Sequence, residues 1–370
     1  MSSVKICHMT SAHPKEDVRI FHKECTSLAQ SGYEVYLVEH GETYDKNGVH
    51  IVGTGEMPRK RFRRMTEGTS RVYRAALAQD CDLYHFHDPE LLPVGLTLKK
   101  KGKKVIFDIH ENTAGAIREK GYIPSIFRGM LSKLYETYEA YCCRKLDALI
   151  TVTPTQTESY LKINPNTVEV SNFPKLSEHY QEPSFKNRAL VFAGAINSQW
   201  NHELIIRALR DIPDVEYVIC GTANKYLGRL KTLPGWEKVN YKGRIPHEQV
   251  NNVMAECMIG VALLCPGRNT AGTIGTMGNT KIFEEMMAGL PVICTDFKLW
   301  RDFVDRYQCG ICVDPSDEQA VIAAIDYLLN HPEEAKMMGK NGRRAVIEEF
   351  SWEVESKKLT ELYRRLLPVS

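Results

Sequence analysis

The sequence predicts an α/β chain of two doubly wound domains in tandem, and three observations predict it. Short apolar runs alternate with helical patterns through the first half, the rhythm of parallel strands joined by crossover helices. A polar stretch punctuated by proline then interrupts that rhythm, from Ser171-Asn172-Phe173-Pro174 to Glu182-Pro183-Ser184. Beyond it the same alternation restarts, and 370 residues suit two domains of ordinary size.

Each element follows from its own stretch of sequence. In the first half, strands are expected at 4–9, 34–39, 83–87, 104–109 and 148–152, with helices near 18–31, 70–79, 91–101 and 125–145. In the second half, strands are expected at 189–193, 216–220, 238–241, 259–264, 291–294 and 310–313. The helices there fall near 202–210, 247–256, 280–288, 318–329 and 333–348, and a last one at 352–366 closes the chain. Doubly wound sheets hold ligands at the carboxyl ends of their strands, so a site is expected in a cleft between the strand ends of the two domains.

The composition, 43% hydrophobic and 25% charged, is that of a soluble globular chain. A net charge of +2 excludes a general nucleic-acid binder and leaves local patches to recognise any charged partner. Eleven cysteines, an odd number, lie scattered in apolar runs such as Val218-Ile219-Cys220, which points to buried thiols in a reducing compartment. Cys309-Gly310-Ile311-Cys312 has CxxC spacing, but no second pair or histidine cluster accompanies it, so no metal site is assigned. The sequence runs directly from Met1 into a strand and holds no apolar run long enough to span a bilayer, so a cytoplasmic location is expected, or a peripheral one on the inner face of the membrane.

Polar residues cluster just after the expected strands. The first strand runs into Ser11-Ala12-His13-Pro14-Lys15-Glu16-Asp17-Val18-Arg19, the third into His87-Asp88-Pro89-Glu90 and the fourth into His110-Glu111-Asn112. A single histidine at a strand end is an ordinary hydrogen-bonding residue, but three such clusters at successive ends point to function. Among them His110 has the most titratable company, in Asp108 and Glu111. Asp80-Cys81-Asp82 has DxD spacing but precedes its strand, away from the carboxyl end.

In the second half, Gly194-Ala195-Ile196-Asn197 and the small-residue run from Gly267 through Arg268 to Gly278-Asn279 follow strands. Thr280-Lys281-Ile282-Phe283-Glu284-Glu285-Met286-Met287-Ala288-Gly289 then reads as a helix that Asn279 or Thr280 can cap and Gly289 can end. Phe283, Met286, Met287 and Leu290 would face a core, and Lys281, Glu284 and Ala288 another stripe. A helix N-terminus beside Lys281 suits an anion such as a diphosphate, and Glu284 can accept hydrogen bonds from a sugar-type diol. Equally, the stretch reads as an amphipathic helix with a Lys281–Glu285 surface pair.

Together these residues resemble a known family. Lys281-Ile-Phe-Glu284-Glu-Met-Met-Ala-Gly289-Leu-Pro291-Val-Ile293, set in two doubly wound domains, resembles the GT-B glycosyltransferases of family 4, retaining enzymes that use nucleotide-sugars. His13-Pro14 with Asp17-Val-Arg19-Ile-Phe21-His22-Lys-Glu24, His87-Asp88-Pro89-Glu90-Leu-Leu-Pro93, Phe107-Asp108-Ile109-His110-Glu111, Leu299-Trp300-Arg301 and Met338-Gly339-Lys-Asn-Gly342-Arg343 are similar to motifs of a bacterial subgroup that builds capsule, O-antigen or exopolysaccharide. The resemblance implies an acceptor-side domain at 1–172, completed by a closing helix at 353–370, and a donor-binding domain at 173–352. It implies that Gly278, Asn279, Thr280 and Lys281 hold the donor diphosphate, with Gly194 and Arg268 beside it, and that Glu284 holds the donor ribose. It places His110 by the transferred sugar and the leaving phosphate, with Glu111 beside it, and His13, Asp17, Arg19, His87, Asp88 and Glu90 on the acceptor side. Two positions depart from the pattern: the first acid of the family's E-x7-E motif falls at Thr276, and the usual basic-glycine pair after Gly194 falls at Trp200-Asn201.

The activity so implied is a retaining transfer from a nucleotide-diphosphate donor, a UDP-sugar, to a growing, lipid-linked surface glycan. Preorganised N–H groups and Lys281 would stabilise the leaving diphosphate, so neither a metal nor another cofactor is expected. The competing readings are a UDP-sugar 2-epimerase of the same architecture and a non-catalytic partner subunit. Arg59-Lys60-Arg61-Phe62-Arg63-Arg64 is read either as a solvated basic loop or as a contact for anionic lipid headgroups.

Overall fold

A computed structural model describes residues 4–177, 180–267 and 270–367. The chain divides into two compact units, Met1–Asn172 with Glu355–Ser370, and Phe173–Val354.

The first unit is built on β1 (Lys5–Met9), β2 (Glu34–Glu39), β3 (Tyr44–Lys46), β4 (Val49–Gly53), β5 (Leu83–Phe86), β6 (Lys104–Ile109), β7 (Ala148–Thr151) and β8 (Thr167–Glu169). They form one sheet in the order β3-β4-β2-β1-β5-β6-β7-β8. Every pairing is parallel except β3–β4, an antiparallel hairpin whose turn places Asn47 and Gly48 at φ +51° and +77°. Its helices are α1 (Thr26–Gln30), α2 (Arg61–Arg63), α3 (Thr69–Ala78), α4 (Leu92–Lys100), α5 (Thr113–Glu119), α6 (Ser125–Cys143) and α7 (Pro154–Leu161). Val105, Phe107, Phe86, Tyr84 and Leu92 pack the core between sheet and helices. Continuous apolar strands of this kind are what a sheet covered on both faces requires.

The expected helix at 18–31 opens with a π-helical stretch, Ile20–Cys25, before α1. Its bonds span five residues: the Glu24 N–H reaches the Arg19 carbonyl at 2.9 Å, and the Thr26 hydroxyl reaches the Phe21 carbonyl at 2.8 Å. In an α-helix residues five apart diverge by about 140°. The wider turn stacks Arg19 over Glu24, and both are buried.

The second unit holds β9 (Ala189–Ala193), β10 (Glu216–Cys220), β11 (Val239–Gly243), β12 (Ile259–Ala262), β13 (Val292–Thr295) and β14 (Gly310–Val313), all parallel, in the order β11-β10-β9-β12-β13-β14. Around them lie α8 (His202–Leu209), α9 (Lys225–Leu230), α10 (His247–Ala255), α11 (Lys281–Met287), α12 (Lys298–Tyr307), α13 (Glu318–Asn330) and α14 (Pro332–Glu348). The closing helix α15 (Trp352–Leu366) starts in this unit, and from Glu355 onward it belongs to the first. In each sheet the first strand lies between its successor and a later strand, β1 between β2 and β5 and β9 between β10 and β12. The loops leaving those strands therefore diverge at a topological switch point, where such sheets take ligands.

Among the described residues, no helix is long and apolar enough to cross a membrane.

Candidate active site

At the switch point of the first unit, the loop after β1 and the residues after β5 close on one carboxylate. Asp88 Oδ2 accepts the Ser11 N–H at 2.6 Å, the Thr10 hydroxyl at 2.8 Å and the Ala12 N–H at 3.2 Å, while Oδ1 lies 2.9 Å from His13 Nδ1. Burial pushes the Asp88 carboxyl up, but the His13 partner and these donors outweigh it and bring its pKa to about 2. For His13 burial acts downward, yet Asp88 holds the ring above its ordinary value.

Beside it lies a second carboxylate, Asp108, fully buried on β6. Arg19 grips it with both arms, Nε to Oδ2 at 2.9 Å and Nη2 to Oδ1 at 3.0 Å. A bidentate guanidinium of this kind supplies the compensating charge that a buried carboxylate demands. Burial raises Asp108, but Arg19 and then His110 hold it well below the usual carboxylate range. His110 Nε2 lies 2.8 Å from Asp108 Oδ2. An ionised carboxylate only accepts, so His110 carries a proton on Nε2.

Counting onward from Asp108 orders a buried chain of rings. His87 Nδ1 donates to Asp108 at 3.3 Å and also lies 3.2 Å from His110 Nε2. His8 Nδ1 then donates to His87 Nε2 at 3.0 Å, the Tyr363 hydroxyl donates to His8 Nε2 at 3.0 Å, and His85 Nδ1 donates to the Tyr363 oxygen at 2.8 Å. The chain ends at His85 Nε2, which has no hydrogen-bond partner among the described residues. It requires neutral rings, and burial does depress His8, His85 and His87, the last to about 4. Glu24 adjoins this chain, its carboxyl raised by burial and by nearby Asp108 despite Arg19 Nε at 3.0 Å.

Two groups here have ligand atoms within 4.8 Å of one another and could hold an ion, His8 with Glu24, His85 and His87, and His87 with Asp108 and His110. In the second group His87 and His110 already bond Asp108, whereas in the first the Glu24 oxygens make no hydrogen bond among the described residues and Arg19 Nε lies 3.0 Å from one of them.

At the switch point of the second unit, Gly194 follows β9. A β-carbon there would come 2.9 Å from Lys281 Cε, so the glycine is where the lysine stem passes. Lys281 Nζ lies 2.5 Å from Glu284 Oε2, and the Thr280 hydroxyl donates to Glu284 Oε1 at 2.9 Å. Thr280 occupies the cap position of α11 without a side-chain cap bond; Asn279 Oδ1 instead accepts the Lys281 N–H at 3.2 Å. The Gly278 N–H goes to the Thr276 hydroxyl at 3.1 Å. Gly289, at φ +81°, ends the helix. A β-carbon on Gly339 would meet the Gly289 carbonyl oxygen at 2.0 Å, and Arg343 Nη1 donates to the Met287 carbonyl at 2.5 Å, so the late glycine motif on α14 holds the back of α11.

Structure and expectation differ at several of these residues. Glu285 is not a surface partner of Lys281: it is buried against Gly260, and Lys281 pairs three residues on, with Glu284. Burial raises the Glu285 carboxyl, and although the Val261 N–H biases it the other way, neither oxygen completes a hydrogen bond. His13, Arg19, His87, Asp88 and His110 come together. Asp17 adjoins them through the Arg19 N–H, whereas Glu90 and Glu111 are placed elsewhere. Asp17 Oδ1 caps the following helix through the Arg19 and Ile20 N–H groups, Glu90 lies 3.4 Å from Arg64, and Glu111 is exposed. Arg268 falls outside the described residues. At the departure from the family pattern, Trp200 is buried against Phe192 and Asn201 caps α8, so both positions are structural. Cys312 lies 3.7 Å from Cys294, its neighbour on the adjacent strand. His8, His85 and Tyr363 are not among the residues the sequence reading points to, and Glu24 appears there only as part of a motif, with no role. The alternation His85-x-His87, both ends inward, was the signal for one of them. A concavity of about 660 Å³ lies instead beside Arg188, Glu216 and Lys238, at the amino ends of the strands and away from these groups.

Two family models match consecutive parts of the chain, one described as Glycosyltransferase Family 4 over residues 18–171 and one as Glycosyl transferases group 1 over 177–345. The chain belongs to the GT-B glycosyltransferases of family 4. It is similar to D-rhamnosyltransferase WbpZ of Pseudomonas aeruginosa, with 22% identity over 72% of this chain and 68% of that one. It is also similar to a GDP-mannose-dependent alpha-(1-6)-phosphatidylinositol monomannoside mannosyltransferase of Mycolicibacterium smegmatis, with 27% identity over 43% of each chain. For four curated relatives the match spans only 21% to 49% of their length. Among solved structures, a sucrose-phosphate synthase from Thermosynechococcus elongatus superposes with a TM-score of 0.74 at 18% identity, over 99% of this chain and 100% of that one. Anabaena Alr3699/HepE in complex with UDP gives 0.69 at 12%, over 98% and 100%. At such identities the structural likeness speaks for the fold.

Proposed function

We propose that this chain is a retaining glycosyltransferase that moves a sugar from a UDP-sugar to a growing, lipid-linked glycan of the bacterial surface. One observation carries the assignment: Lys281 and Glu284 sit together at the strand-end switch point of the second unit, with Gly194 leaving room for the lysine stem. A cation and a carboxylate whose side chains bond, among the described residues, only each other and Thr280 can exchange those bonds for a diphosphate and a ribose diol. In the bound state Lys281 turns to the diphosphate and Glu284 to the ribose.

Cleavage of the sugar–phosphate bond places negative charge on the leaving diphosphate. Lys281 and the N–H groups at the start of α11 stabilise it, and no metal is called on. The leaving phosphate takes the proton of the acceptor hydroxyl. In the first unit, Asp108 holds the Nε2 proton of His110, which meets the reacting sugar through its Nδ1 edge. His13 and Asp88 orient the acceptor. UDP as the carrier is supported by the HepE complex, whereas the mycobacterial relative is GDP-mannose-dependent.

The test is a panel of UDP- and GDP-sugars with a glycan-lipid acceptor extract, with and without EDTA, read by NMR of the anomeric proton. Transfer from a UDP-sugar with retained anomeric configuration, unaffected by EDTA, is expected. Inverted product, epimerised free UDP-sugar, or turnover lost with EDTA would overturn the corresponding part.

A further inference from the structure

α6 is built inside out for a helix on a soluble surface. Its buried residues include Ser132 and Glu139. The Ser132 hydroxyl donates to the Ala114 carbonyl at 2.8 Å and accepts from Arg118 Nε, and Glu139 accepts the hydroxyls of Tyr135 and Tyr160, both at 2.8 Å. The apolar side chains point the other way. Ile126, Met130 and Leu134, one turn apart, are 80%, 61% and 64% exposed, and Phe127 and Tyr138 flank them. A helix packed on a soluble core normally shows the reverse arrangement.

The basic run expected as a loop is helical over Arg61–Arg63 and adjoins this stripe. Arg59, Lys60, Arg61 and Arg63 are exposed, and so is Phe62 among them, at 77%. Arg61 bonds the hydroxyl of Tyr122 and stacks 5.6 Å from its ring, three residues before α6 begins. Three acids nearby are engaged: Glu67 with Arg63 and Arg71, Glu90 with Arg64, and Glu136 with Lys133. The surface thus combines an apolar ridge with a basic margin. A second copy of the chain would offer that margin only its own like charge, whereas an anionic bilayer offers hydrocarbon and phosphate side by side.

We propose that α6 and the 59–64 segment, which includes α2, dock the first unit on an anionic lipid surface. α6 lies in the plane of the interface, with Ile126, Met130 and Leu134 in the acyl boundary and Arg59, Lys60 and Arg61 at the level of the phosphates. This deepens, and rests on, the lipid-linked acceptor of the proposed function.

The test is co-sedimentation with vesicles of phosphatidylglycerol and phosphatidylcholine, or of phosphatidylcholine alone, with UDP titrated in parallel. Wild type is expected to bind the anionic vesicles and to be released by salt. Met130→Ser with Leu134→Ser should weaken that binding by about tenfold or more. Arg59→Gln with Lys60→Gln should weaken it roughly 25-fold, about fivefold per basic residue. UDP affinity should stay unchanged in both variants. Absence of vesicle binding, or variants that bind like wild type, would overturn the docking surface. So would a dimer in sedimentation velocity that the α6 variant dissociates, which would give the face to a second copy. For the wild type, no vesicle binding with intact UDP binding refutes only this surface, and no UDP binding with intact vesicle binding refutes only the donor assignment.

Discussion

A β-carbon at position 194 would come 2.9 Å from Cε and 3.1 Å from Cδ of Lys281, and 3.3 Å from Cε1 of Phe192. The closest atoms belong to a flexible lysine stem, so Gly194→Ala folds and the stem yields. Ordinary contact requires it to move roughly 0.5–0.8 Å, enough to break a charge-assisted hydrogen bond. The fold loses little, because the Lys281–Glu284 pair is 26% and 22% exposed and pairs in such settings contribute about 0–1 kcal/mol. In a unit of this size that lowers the Tm by no more than about 4 °C. A lysine bonded to a diphosphate contributes about 1.5–3 kcal/mol, so UDP affinity should fall roughly 10- to 150-fold. Calorimetric titration with UDP and a thermal melt on the same protein separate the two effects. UDP affinity within twofold of wild type would refute the placement of the donor at Lys281. A variant that does not fold would refute the claim that the stem can yield.

Two further predictions concern buried groups. Glu285 is held protonated by burial, so its folded pKa is raised. The contribution is fully present below the unfolded value near 4.3 and is lost as pH rises toward the folded value, by about 1.4 kcal/mol per pH unit. Glu285→Gln should therefore gain on wild type in urea denaturation between pH 5 and pH 8, and parallel pH profiles would contradict this. Tyr363→Phe orphans His8 Nε2 and the His85 Nδ1–H at once, which costs about 2–4 kcal/mol by the same assay; a loss under about 1 kcal/mol would mean the ring chain does not run through Tyr363.

Much of this was legible along the chain because it rests on local signals. Apolar runs bounded by glycine and polar residues mark most of the buried strands, and the polar residues after them mark the switch points. The hairpin of β3 and β4 has a local signal too, in Asn47-Gly48, but β3 is a short polar strand at the sheet edge. Thr153 capping a helix with Pro154 in its first turn was a similar signal for α7. What could not be read depends on distance or on register. Tyr363 meets His8 across 355 positions, and no local pattern encodes that. The π-helical stretch that stacks Arg19 on Glu24 breaks the 3.6-residue period on which helix reading depends. For Glu285 the helical period places the side chain on the face an exposed helix turns to solvent. α11 has seven residues, and bare Gly260 on β12 lets the Glu285 side chain inward.

The central claim is that Lys281 and Glu284 hold a uridine diphosphate donor, and the most direct measurement is UDP titration of wild type beside Glu284→Ala. Loss of both ribose hydrogen bonds should weaken binding by at least about tenfold with the melting temperature little changed. Equal affinity in the two proteins, or no binding of UDP by wild type, would contradict it.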